Sequence, residues 1–253
     1  KDAATLGLGL IRKIAGYCGV GLQGEGALVL ESSIENQIIH GSCSLLNGTI
    51  RLPHTYNFVH DLALQFCAHL ARKKIILSQV QCEMHTGTIR IPSAQLHFDD
   101  KKLLFAHVPI VFDHCLFNVK RDLFAMLSGH LLFSKKREEQ QLSGYLLVDR
   151  AQLKENIFAQ DFQKNLQNVM RMTPDVPSVP LTCAITIETK EPIRIETEFL
   201  KAMAQAHLSL AGSSQDPKIN GDISLLSGTL HFPYKPLHIA KGSVIFDAQQ
   251  PLN

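Results

Sequence analysis

Between Gly221 and Phe246 the chain reads GDISLLSGTLHFPYKPLHIAKGSVIF, and this stretch constrains the fold more than any other. Its apolar residues come in alternating pairs: Ile223 and Leu225, Leu230 and Phe232, Leu237 and Ile239, Val244 and Phe246. A period of two places each pair on one face of a β-strand. The phase slips at Ser227–Gly228, at Pro233–Pro236 and at Lys241–Gly242. Glycine permits a sharp bend and proline ends a ladder. The pattern predicts strands of four or five residues with a turn after each.

The unit recurs. Ser44–Ile50, SLLNGTI, aligns with Ser224–Leu230, SLLSGTL, and a weaker copy is Thr86–Pro92, TGTIRIP. Asn47-Gly48-Thr49 is formally a glycosylation sequon, but Asn-Gly in a strand repeat is the chemistry of a turn. A Leu-Ser-Gly-x-Leu step occurs at 127–131 and again at 142–146. Internal repetition points to an elongated, stacked architecture, since one short unit cannot bury its own apolar face. The cleanest alternation lies at Leu181–Ile187 and Ile193–Phe199. It assigns Ile185, Ile187, Ile193, Ile195, Ile223, Leu225, Leu230 and Phe232 to an inward face. Thr186, Glu188, Arg194, Glu196, Ser224 and His231 then face water. Leu200–Leu210 fits both a helix and a strand. Residues 151–172 break the alternation: Leu153, Ile157, Phe158, Phe162, Leu166, Val169 and Met170 fall at helical spacing. Asp149 can cap and Pro174 can stop one amphipathic helix, and Thr173–Pro180 reads as a linker.

Composition excludes several classes. Of 253 residues 45% are hydrophobic and 19% charged, which is globular and not disordered. No apolar run approaches the ~18–20 residues of a membrane span. The sequence begins with Lys and reads as a piece of a longer polypeptide. A net charge of +2 with scattered basic clusters at Arg72–Lys74 and Lys135–Arg137 gives no nucleic-acid stripe. The six cysteines form no C-x-x-C pair, and buried free thiols are expected. Gly19-x-Gly21-x-x-Gly24 lacks the strand and helix of a dinucleotide site. Twelve histidines make no H-x-x-x-H. The nearest clusters are Cys82-x-x-His85 and Asp113-His114-Cys115, and in a strand His114 and Cys115 point apart. No catalytic residue, metal site or cofactor is expected, and the chain does not read as an enzyme.

The stretch from Gly221 resembles the repeated C-terminal domain of the TamB family, the inner-membrane subunit of the bacterial translocation and assembly module. The landmarks are Gly221, Ile223, Leu225, Gly228-Thr229, Phe232, Leu237, Ile239, Lys241-Gly242 and Val244-x-Phe246. The Leu-Ser-Gly-x-Leu steps and Leu208-x-Leu210-x-Gly212 follow the same order, which selects strand for Leu200–Leu210. The resemblance implies an all-β fold, an elongated sheet folded lengthwise into a U (a β-taco) with an apolar groove, to which the amphipathic helix is added. Residues 1–26 are then a glycine-rich lead-in, 27–150 a β-taco segment, 151–172 the helix, and 173–253 the TamB-like repeat segment. It also implies a periplasmic lipid conduit, anchored at the inner membrane, that supports phospholipid transport and outer-membrane assembly. The implied partners are phospholipid acyl chains and an outer-membrane β-barrel subunit of the TamA type. The alternative is a scaffold that helps insert outer-membrane or autotransporter β-barrels by β-augmentation.

Overall fold

Strand follows strand along one sheet. The computed structural model describes residues 2–7, 23–52, 57–99, 102–120, 123–154, 180–213, 216–231 and 235–247, and among them there is no helix. The strands are β1 (Asp2–Gly7), β2 (Gln23–Glu35), β3 (Ile38–Arg51), β4 (Phe58–His69), β5 (Lys74–Met84), β6 (Gly87–Asp99), β7 (Lys102–Lys120) and β8 (Leu123–Lys136). They continue as β9 (Glu139–Leu153), β10 (Leu181–Thr189), β11 (Ile193–Glu196), β12 (Leu200–Ser213), β13 (Asp216–His231), β14 (Pro236–Ile239) and β15 (Gly242–Phe246). All fifteen belong to one curved sheet in sequence order, with β10 and β11 sharing one position and β14 and β15 another.

Tight connections keep the meander antiparallel. Asn36 and Gln37 join β2 to β3 with φ of 48° and 63°, the left-handed pair that a two-residue hairpin requires. The exceptions are β10 and β11, both parallel to β9, with Leu181 opposite Gln140, Thr189 opposite Val148 and Ile195 opposite Leu153. Parallel neighbours need the chain to return to the strand's start. Residues 155–179, between β9 and β10 in the chain, lie outside the described residues. The expected helix therefore falls mostly outside them. Where it was to begin, Ala151–Leu153 complete β9 instead, and Asp149 is a bulge residue rather than a cap.

Strands β11, β14 and β15 have the predicted four or five residues, but the others are longer. β13 runs through Ser227–Gly228 without a turn, and β3 runs through Asn47–Gly48. These phase slips are β-bulges. The extra residues are Gly26 and Asn47–Gly48 between β2 and β3, Asp61–Leu62 between β4 and β5, Asp113–His114 between β7 and β8, Asp149 between β8 and β9, and Leu226 between β12 and β13. At the same level β10 gives way to β11, and β15 is separated from β14 by Ala240–Lys241. These irregularities form one line across the sheet, and further register shifts lie off it, between Arg90 and Gln95 and at Leu104 in the β6–β7 pair and at Val119 in the β7–β8 pair. A bulge bends its strand, so a line of them creases the sheet lengthwise. Each long strand from β2 to β9, and β12 and β13, has one arm on either side of the crease, while β10, β11, β14 and β15 each lie on one side.

Left-handed residues mark the crease: Asn47, Asp61, Gln79 and His114 have φ of 49°, 50°, 52° and 52°. Each turns two consecutive side chains to the same side. Asp113 and His114 are both exposed and their side chains meet at 2.8 Å, while Cys115 is fully buried on the other face. Polar groups stitch the crease from strand to strand. The His114 N–H donates to Ser128 Oγ at 3.1 Å, the Ser128 hydroxyl donates to Asp149, and Lys190 Nζ lies 3.8 Å from the same carboxylate.

The described cysteines 43, 67, 82, 115 and 183 are all free thiols, four of them buried. Burial raises the thiol pKa of Cys43, Cys115 and Cys183, and burial with Cys115 nearby pushes Cys82 up to about 11. A thiol held protonated is a poor nucleophile. Native alkylation at neutral pH should therefore label few of them, and reductant should leave the unfolding curve unchanged. A loss of about 2–4 kcal/mol under reductant would reveal a stabilising disulfide and overturn this assignment.

Candidate functional site

Residues directly opposite one another across a ladder share a face. Strand β12 therefore sorts its neighbours. Its buried alanines and their flanking leucines alternate with exposed Lys201, Met203, Gln205 and His207. Ile185 and Ile187 lie opposite Leu210 and Leu208, and Ile193 and Ile195 opposite Ala204 and Ala202. From the other side Ile223, Leu225 and Leu230 lie opposite Ala206, Ala204 and Leu200. The register thus brings seven of the eight residues singled out in the sequence to one inner face; Phe232 lies outside the described residues. Thr186, Glu188, Arg194, Glu196 and Ser224 occupy the opposite face. There Glu188 accepts from Tyr145 Oη at 3.0 Å and pairs with His207 at 3.1 Å, and Glu196 pairs with Arg194 at 2.7 Å.

The inner face continues in both directions. On β9 it carries Leu142, Gly144, Leu146 and Val148, and on β8 Leu127, Gly129, Leu131 and Phe133. Toward the far edge it carries Leu237, Ile239, Val244 and Phe246. Alternation made individual strands legible, but the continuity of this face depends on register, which no single strand reveals.

Burial along the face is uneven. From β8 to β15 the fully buried side chains are mostly small: Val148, Ala151, Cys183, Ala202, Ala204 and Ala206, with Ile185 as the one large member. Ile187, Ile193, Ile195, Ile223, Leu225 and Leu230 are only partly buried. A shallow depression of about 240 Å³ between β11, β12 and β13 is lined mainly by Arg194, Glu196, Lys201, Met203 and Ser227 and so belongs to the outer face. From β3 to β7 the picture reverses. Leu45, Ile50, Val59, Cys82, Met84 and Cys115 form a closed cluster, with Leu52, Leu62, Ile89, Phe112 and Phe117 packed against it.

The outer face holds most of the exposed charged groups and imidazoles. His60 Nδ1 lies 2.9 Å from Asp61 and 3.9 Å from Glu83, and ligand atoms of the three lie within 4.8 Å of one another. Spacing did not predict this group, because Glu83 reaches His60 only through the β4–β5 register and Asp61 only through its bulge. The two carboxylates are exposed, and such surface pairs form without a metal. His97 stacks edge-on against Phe105 on the same outer face, at 5.4 Å between ring centroids. No helix among the described residues is long and apolar enough to cross a membrane.

A comparison with curated proteins gives no match. The family model of the TamB C-terminal domain matches residues 86–253, from the turn before β6 through the whole of the partly open face. That match covers about two thirds of the sequence and includes every landmark of the alternating stretch, so the chain belongs to the TamB family.

Proposed function

We propose that the inner face from β8 to β15 is a path for phospholipid acyl chains. The observation that carries this reading is the partial exposure of Ile187, Ile193, Ile195, Ile223, Leu225 and Leu230 on one continuous apolar face. No second sheet covers them among the described residues. Each apolar Å² left in water is unfavourable by about 25 cal/mol, and an acyl chain laid along the face would remove that penalty. Family membership supports a role in outer-membrane assembly and lipid transport in general, rather than catalysis. In this reading the segment works in the periplasm, as part of a protein anchored at the inner membrane, with an outer-membrane β-barrel subunit of the TamA type as its partner.

Photo-crosslinkers test the path. At Leu225 or Ile195 they should capture phospholipid, and at Glu196 or Ser224, on the opposite face, they should not. Equal capture from both faces, or none from either, would sink the reading.

One feature favours the scaffold alternative. The last position of the sheet is a broken strand whose Leu237, Val244 and Ile245 are 50%, 47% and 72% exposed. Unpaired edge strands are templates for another chain. Client β-strands crosslinking to Ile245 while Leu225 captures no lipid would favour the scaffold over the conduit.

A further inference from the structure

The inner face does not offer both of its arms over its whole length. Beyond His114, β7 has no partner residues left on β6, which begins at Gly87. It passes the β5–β6 turn instead. Thr86 Oγ1 donates to the His114 carbonyl at 3.2 Å, and the Cys115 thiol donates to the Thr88 carbonyl at 3.3 Å. It then meets the β3–β4 connection. Asn57 is 1% exposed, and its side chain makes a two-bond bridge to the Asn118 backbone. Asn118 N–H donates to Asn57 Oδ1 at 2.7 Å, and Asn57 Nδ2 donates to the Asn118 carbonyl at 3.3 Å. This side chain does what a ladder pair does, but between residues 61 apart, the one just before β4 and the other in β7, strands three positions apart in the sheet. Neighbours of the bridge in the chain, Val59, Cys115 and Phe117, belong to or pack on the buried cluster that also holds Ile50 and Met84. On the other arm of the same strands the small side chains Cys43, Ala94 and Ala106 are buried, while the large ones, Phe66, Leu77, Leu96 and Ile110, stay partly exposed.

We infer that strands β3–β7 form a neck in the acyl path. One arm of the crease is filled by the protein's own side chains and locked by the Asn57–Asn118 bridge, so acyl chains pass there only along the arm that carries Leu77 and Leu96. Downstream of β7 both arms are available. The inference rests on the lipid-path reading and adds a width to it. Asparagine suits the lock because its carboxamide sets an acceptor oxygen beside N–H donors, complementary to the N–H and C=O of one residue. A buried bridge that loses one partner leaves peptide groups unsatisfied, so the closed arm should loosen when Asn57 is truncated.

The test uses the full chain and vesicles of phosphatidylethanolamine and phosphatidylglycerol. Photo-crosslinkers replace Ile195 (open region), Leu77 (unfilled arm of the neck) and Met84 (filled arm). Capture at Ile195 and Leu77 should exceed capture at Met84 on the order of tenfold, and Asn57→Ala should raise Met84 toward the others while leaving Leu77 unchanged. Capture at Met84 equal to Ile195 in the parent chain overturns the neck and leaves the lipid path standing. Capture at Ile195 without capture at Leu77 also overturns it, since the region is then a stop. No capture at Ile195 overturns the lipid path itself. Because a crosslinker at Met84 can prevent folding, the native thiols supply a second measurement without lipid. A maleimide bearing a dodecyl chain should label Ile187→Cys and spare Cys82 and Cys115, then label all three once Asn57→Ala is added. Equal labelling of the three thiols in the presence of Asn57 would show the arm to be open and the neck wrong.

Discussion

Replacing Gly144 by alanine should lower stability by about 3–5 kcal/mol, a loss confined to a few mechanisms such as backbone strain and core disruption. Gly144 has φ of 145°, and a Cβ there would stand 2.2 Å from the His130 carbonyl oxygen on β8 and 2.9 Å from the Leu131 Cα. The added atom would point into the ladder and not out of the sheet. Side chains rarely adopt this backbone region, whose strain alone is of order 1–3 kcal/mol, and the obstacle is backbone that cannot swing away. Gly129 mirrors it across the same ladder, with φ of 140° and 2.3 Å from its Cβ position to the Tyr145 carbonyl oxygen. Gly129→Ala should therefore lose a similar amount. Gly242 is the control: its φ is not in that region, and the nearest atom to a built Cβ is Leu225 Cδ1 at 3.3 Å, the end of a flexible side chain. Gly242→Ala should stay within about 1 kcal/mol of the parent in urea unfolding. The account fails if Gly144→Ala proves no worse than Gly242→Ala.

Those two glycines show how far the sequence could be read. The Leu-Ser-Gly-x-Leu steps at 127–131 and 142–146 were visible as a repeat, but the reason for glycine was not. It comes from a carbonyl on the neighbouring strand. The same limit explains the misread turns. A bulge with a left-handed residue and a turn both shift the apolar phase by one, and Asn-Gly favours left-handed backbone in either. Asn47–Gly48 and Ser227–Gly228 could not be told from turns until their partners were known. The start assigned to the expected helix fails for a related reason: Ala151 and Leu153 fit the end of a strand as well as the start of a helix, and the β11 partner Ile195 opposite Leu153 decides for strand. What alternation did carry was the side to which each residue points. Ile185 through Leu230 could be sorted before any register was known, because the period of two holds within every arm between bulges. The bridge from Asn57 to Asn118 left no local signal.

The deepest difference between the two halves of the inner face should appear when a charge is placed on it. Met84 is fully buried among Leu45, Ile50, Val59 and Cys115. Met84→Asp puts a carboxylate there with no cation within the cluster, and the domain should lose about 4–5 kcal/mol or fail to fold. Leu225 lies on the same inner face but is partly exposed, opposite Ala204 and Gly242, two residues too small to cover it. A carboxylate at 225 can turn toward solvent and keep much of its hydration. Leu225→Asp should therefore lose only about 1–2 kcal/mol, chiefly the transfer free energy of the missing isobutyl group. It should nevertheless abolish acyl capture at a crosslinker on Ile195, since a charge in the path repels a chain more strongly than it unfolds a half-open sheet. Two alternatives give opposite signs. If Leu225→Asp is as damaging as Met84→Asp, the face from β8 to β15 is a closed core and carries no chain. If Leu225→Asp folds normally and lipid capture at Ile195 is unchanged, acyl chains do not travel past β13. Only a stable Leu225→Asp protein that no longer captures lipid agrees with an apolar face left open for a guest.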